Sequence, residues 1–123
     1  MRKLTVLGLF FCAWTACAQE TPQALLDHAL RLGDKYSWAD SRDLFFKAEQ
    51  GFRSYDQRNA LYAKIGRLRS TMEEQLLPAL SAELDALLTD PLVANDAQLR
   101  LFCLIVKGDV DGELVSCVRS PLT

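Results

Sequence analysis

Between Gly33 and Leu68 the chain carries Leu32-Gly33-x-x-Tyr36, then Ala48-x-x-x-Phe52, then a polar break over Ser54 to Asp56 and a fresh apolar helix. Helices laid out this way cannot bury their apolar stripes alone and must stack on one another. The pattern predicts an all-α array that presents surfaces, with no pocket built for chemistry.

The residues ahead of this region change what the rest means. Met1 to Ala18 combines a basic start (Arg2, Lys3), an apolar run from Leu4 to Trp14 broken by Thr5 and Gly8, and a small-x-small site at Ala16-Cys17-Ala18. This is the layout of an export leader, with Gln19 as the expected mature N-terminus. A second reading makes Cys17 the lipid-bearing residue of a bacterial lipoprotein. Trp14 stands where such a site takes an aliphatic residue, so ordinary cleavage is preferred. Residues 1–18 are therefore read as a signal peptide and 19–123 as one helical domain, periplasmic or extracellular. No later stretch holds the roughly 18 uncharged residues a membrane helix needs.

Loss of Arg2 and Lys3 leaves twelve Lys and Arg against sixteen Asp and Glu, which moves the formal net charge from -2 to -4. That balance disfavours nucleic acid as a partner. Only Cys103 and Cys117 of the four cysteines remain. Stability must then come from packing, because two cysteines are no framework.

Local signals are helical nearly throughout. Thr21 caps a first helix with Pro22 at its first position, and Ala24, Leu25, Ala29, Leu32 and Tyr36 recur at helical steps. Ser37 and Asp40 form a capping-box-like pair opening a second helix with the stripe Phe45, Ala48, Phe52, Tyr55. Asp56 caps a third, with Leu61, Ile65, Leu68 and Met72 inward, small Ala60, Ala63 and Gly66 admitting a neighbour, and an end expected near Leu76. Pro78 suits the start of a fourth helix, running to about Leu88 with Leu80, Leu84, Leu87 and Leu88 inward, and Asp90-Pro91 ends it. Asn95 or Asp96 caps a fifth, Leu99 to Lys107, apolar nearly all round and therefore in need of neighbours on more than one side. A buried strand is the competing reading of that run, set aside because its surroundings are helical. Gly108 to Gly112 reads as a turn, after which Glu113 to Arg119 begins a short sixth helix that Ser120-Pro121 stops. So short and apolar a tail closes an array poorly, and the chain reads as a fragment or a truncated relative of something longer.

The segments Arg58-Asn59-Ala60-Leu61-Tyr62-Ala63-Lys64-Ile65-Gly66-Arg67-Leu68-Arg69 and Gln98-Leu99-Arg100-Leu101-Phe102-Cys103-Leu104-Ile105-Val106-Lys107-Gly108-Asp109-Val110-Asp111 resemble the N-terminal region of large exported bacterial tetratricopeptide-repeat proteins, many of which carry a caspase-like CHAT domain far downstream. The likeness covers roughly Leu25 to Glu113 and implies antiparallel hairpins stacked as a right-handed array of about five helices plus a short C-terminal one. It departs from the repeat pattern between Gly33 and Ala48, 15 residues where the standard repeat has about 12, and again from about Leu114.

Candidate chemistry is sparse. His28, the only histidine, has no second ligand or activated neighbour and reads as a solvated or partly buried structural residue. Cys117 has neither a motif nor a nearby histidine to make it a nucleophile. Asp109-x-Asp111-Gly112 resembles part of a calcium loop, but Lys107 and Val118 would occupy positions that need carboxylates, so a turn explains it better. Cys103 and Cys117 lie seven residues either side of Val110, so a hairpin there could bring them into a disulfide; a buried thiol at Cys103 is the preferred alternative. Arg58, Lys64, Arg67 and Arg69 point in several directions on a helix and read as a solvated face. Tyr36, Trp38, Phe45, Phe46, Phe52 and Tyr62 are chiefly core by spacing, and any left uncovered would form a surface for a partner.

Two functions are consistent with these features. The first is a non-catalytic scaffold, without cofactor or metal, that binds a protein or peptide partner through a face including Tyr36, Trp38, Tyr62 and Arg69. The second is a small exported bundle that dimerises or binds an apolar ligand.

Overall fold

A computed structural model describes residues 20–119, with side chains as far as Ser116. The expected leader, Cys17 and the side chain of Cys117 lie outside the described residues. Six helices follow in order: α1 (Pro22–Asp34), α2 (Trp38–Phe52), α3 (Gln57–Ser70), α4 (Leu77–Thr89), the single turn α5 (Pro91–Ala94) and α6 (Ala97–Arg119). No strand occurs among the described residues. The described residues form an all-α fold in which α2 packs on α1 and α3, and α6 packs on α3, α4 and α5.

Side-chain caps start four of these helices. Thr21 Oγ1 accepts from Ala24 N at 3.1 Å, Asp56 Oδ1 from Asn59 N at 3.1 Å, Asp90 Oδ1 from Leu92 N at 2.9 Å, and Asp96 Oδ1 from both Gln98 N and Leu99 N at 3.1 Å. Each bond satisfies a donor that the first turn of a helix leaves unpaired. Ser37 departs from expectation, for its side chain makes no capping bond. Buried Ser41 instead donates its hydroxyl to Trp38 O at 2.7 Å within that first turn.

The end of α1 explains why the predicted stripe keeps Ala29 inward and loses Tyr36. Tyr36 N donates to Gly33 O at 2.9 Å and Ser37 N to Leu32 O at 2.8 Å, a complete Schellman closure. Its left-handed position is occupied by Tyr36, at φ 60°, where glycine is usual. The reversal lifts Tyr36 off the helix and leaves it 85% exposed, so it is not core. The buried face of α1 is Leu26, Ala29 and Gly33. Gly33 serves packing: a Cβ there would lie 2.7 Å from the Trp38 ring.

Two apolar clusters share α3. Leu26, Ala29, Phe45, Ala48, Phe52, Ala60 and Ala63 join α1, α2 and α3, while Ile65, Leu68, Leu80, Leu84, Leu87, Val93, Leu99, Cys103, Val106 and Val110 join α3 to α4, α5 and α6. Half-buried Tyr62 touches both. The Phe45 ring lies directly over Gly66, so α2 and α3 approach as closely as the small residues of α3 allow. Phe46 and Tyr55, expected inward, are exposed. Met72 is half-buried in the connection after α3, which ends at Ser70, short of Leu76.

The largest difference concerns the C-terminal part. No turn forms at Gly108 to Gly112; α6 runs unbroken through both glycines and absorbs the expected sixth helix. Each glycine costs about 1 kcal/mol in a helix interior. Tertiary contacts outweigh this, because Val106 and Val110 are buried and the neighbouring charges are held on both sides. Asp109 meets Arg69 of α3 at 2.9 Å, and Lys107 meets Asp85 of α4 at 3.0 Å. The hairpin that would have faced Cys103 with Cys117 is therefore not formed. Fourteen positions apart on one helix, they are separated by about 21 Å of rise, and a disulfide needs Cα atoms within about 7 Å. The Cys103 thiol is free and buried.

Candidate functional site: an aromatic corner with an acidic rim

Trp38 opens α2 directly after the Tyr36 reversal, and Arg69 sits one residue before the end of α3. They meet. The Arg69 guanidinium lies 4.8 Å from the Trp38 ring centre, and its Nε donates to Asp109 Oδ2. Trp38 also stacks with Phe45 at 6.3 Å. Its indole Nε1–H is buried and finds no acceptor among the described residues. Around this pair opens a groove of about 420 Å³, lined by Tyr36, Trp38, Ala39, Arg69, Ser70, Met72, Glu73, Glu74 and Glu113. Glu74 is engaged by Arg42 at 2.6 Å. Glu73 and Glu113 form no ion pair among the described residues, so the rim is acidic.

Of the four residues expected to share a partner face, the structure brings Tyr36, Trp38 and Arg69 to this groove and places Tyr62 elsewhere. Tyr62 lies seven positions from Arg69 on α3, about 10 Å along the axis. It lines a smaller hollow with Leu26, Leu30, Arg58 and Gln98, stacks on Phe102 at 4.8 Å, and lies 5.7 Å from the Arg58 guanidinium. Burial raises its phenol pKa, with Arg58 opposing. Met72, Glu73, Glu74 and Glu113 were not foreseen as lining. No local signal marks them, since the α3–α4 connection and the middle of α6 converge only in the fold.

The basic residues of α3 are braces, which corrects their reading as a solvated face. Arg58 pairs with Asp96 at 2.8 Å, Lys64 with Glu83 at 3.9 Å, Arg67 with Glu49 at 2.7 Å and Arg69 with Asp109 at 2.9 Å. Each reaches a different neighbouring segment. The Arg58 hydrogen bond, aided by the Leu99 N–H, lowers the Asp96 pKa. Lys107 bridges Asp85 and Asp111; these bonds raise its pKa, Asp85 foremost, while Ser81 and then Lys107 lower that of Asp111. Asp109 and Asp111, whose spacing resembles part of a calcium loop, are thus helical residues engaged in ion pairs.

His28 is exposed on α1. Burial chiefly raises the Cys103 pKa, and its Sγ lies 3.7 Å from Leu84 O, an inert setting for a thiol. Among the described residues no cluster of three His, Cys, Asp or Glu could hold a metal, and no helix is long and apolar enough to cross a membrane. Comparisons with known protein families, with curated proteins and with solved structures return no match.

Proposed function

We propose that this chain is a non-catalytic helical scaffold that binds a protein or peptide partner in the groove between Tyr36, Arg69 and Glu113. The observation that carries this reading is the Tyr36–Trp38 corner. A large aromatic occupies a left-handed backbone position at a cost of about 1–2 kcal/mol, and the adjacent indole N–H is buried without an acceptor. Two locally unfavourable features at one rim are what a surface kept for recognition carries. Tyr36 supplies exposed aromatic area, Trp38 and Arg69 form a rigid floor, and Glu73 and Glu113 favour a basic side chain. The partner class is therefore an extended peptide with Lys or Arg beside an apolar residue. Export, and a place at the N-terminal end of a larger repeat protein, belong to the same proposal and rest on the leader pattern and the resemblance.

Trp14 belongs to the leader, so Trp38 is the sole tryptophan of the mature chain and its emission reports on the groove. A displayed random-peptide library selected against residues 19–123 should return basic, extended peptides that shift this emission and lose binding to Tyr36→Ala and to Glu73→Gln/Glu113→Gln. Binders indifferent to both variants, or none above background, would refute the reading.

A further inference from the structure

We propose that α6 is the interface of a two-fold antiparallel dimer, in which Leu101 and Ile105 of one copy fill the space over Gly112 and Gly108 of the second. Helix α6 lies between α3 and α4, with Leu99, Cys103, Val106 and Val110 buried. On the opposite side Leu101, Ile105, Gly108, Gly112 and Val115 recur at steps of four, three, four and three residues, a continuous heptad seam flanked by Leu104. Leu101 is 60% exposed, Ile105 53% and Val115 51%, and a Cβ built on either glycine meets no atom within 4 Å. No charged residue lies on the seam, so a net acidic chain can meet itself there.

The order of residues selects the occupant. The N-terminal half of the seam is bulky and its C-terminal half bare, so the seam complements its own reverse. In the antiparallel register that overlaps its whole length, Leu101 faces Gly112, Ile105 faces Gly108, and Gln98 faces Val115. Shifting by one heptad either sets glycine against glycine or leaves one end uncovered. A parallel pair would place Leu on Leu and Gly on Gly, separating the helices over a void. The antiparallel pair also opposes the helix dipoles favourably, and bare glycines let two axes approach closely. Burying the four apolar side chains removes roughly 400 Å² per copy, the size of the largest patch on an ordinary monomer. The pair buries about 800 Å² before its rim is counted, short of the roughly 1,200 Å² at which specific interfaces begin, so the flanking side chains must supply the remainder.

Sedimentation of residues 19–123 over a concentration series tests this independently of the groove. A monomer–dimer equilibrium is expected, weakened at least tenfold in Gly108→Leu and in Ile105→Asp with helix content unchanged. In a Cys117→Ser background, mixing Ile105→Cys with Gly108→Cys chains should give a disulfide between unlike chains only. A monomer at every concentration, an equilibrium indifferent to both substitutions, or crosslinks between like chains overturns the proposal.

Discussion

Replacing Tyr36 by glycine separates the stability of this protein from its proposed activity. The native backbone at Tyr36 is left-handed, φ 60°, and is held there by the two closure bonds from Tyr36 N and Ser37 N. A residue with a Cβ gives up about 1–2 kcal/mol in that region. Glycine removes this cost, but it also loosens the unfolded chain by about 0.4–1 kcal/mol. Little burial is lost, because the Tyr36 side chain is exposed. The net gain is roughly 1 kcal/mol, which raises Tm by about 4–8 °C in a domain of this size. Tyr36→Ala keeps a Cβ and hence the strain, so its stability should stay within about 0.5 kcal/mol of the parent. Thermal melts of both variants by circular dichroism, beside a peptide-capture assay, make the comparison. Both should lose binding, and only glycine should gain stability. Equal gains by glycine and alanine would assign the effect to the side chain and refute the strain argument; a lower Tm for glycine would refute the closure itself.

Two glycines on adjacent helices should respond in opposite directions. Gly66→Ala drives a methyl into the Phe45 ring and should cost about 1–3 kcal/mol, whereas Gly108→Ala meets open space and should gain up to about 1 kcal/mol of monomer stability, both read by urea unfolding. Leu84→Ala, at the centre of the larger cluster, should cost about 2–5 kcal/mol in the same measurement. Acid should weaken the fold through Asp96 and Asp111. Their lowered folded pKa values mean that stability present above the ordinary carboxylate range is lost as pH falls through them. Asp96→Asn should therefore flatten the acid limb of a stability–pH curve. Cys103 acts in the other direction: its raised folded pKa makes its contribution complete at neutral pH and lost as pH climbs past the ordinary thiol range, and Cys103→Ala should remove that part of the alkaline decline.

Fold class and the helix starts were legible because they depend on neighbours in the chain. Thr21, Asp56 and Asp96 cap their own helices within three residues, and Leu80, Leu84 and Leu87 repeat at a step that one helix face requires. The candidate groove was legible only in part. Tyr36, Trp38 and Arg69 stood out by type, but Glu113 reaches them from 40 or more residues away, and Tyr62 faces a different hollow. Failures fell where local preference and distant contact disagreed. Glycine at 108 and 112 disfavours helix by about 1 kcal/mol each relative to alanine; buried Val106 and Val110, with ion pairs to α3 and α4, outweigh that cost. Tyr36 belongs to the apolar stripe by spacing alone, yet Gly33 is the residue that admits the Trp38 ring, so the helix turns back and Tyr36 faces outward. Short-range hydrogen bonding and side-chain period settle where helices begin and which are amphipathic. Which helix continues, which faces stay bare and which side chains converge depend on long-range packing, whose energies exceed the local ones they override.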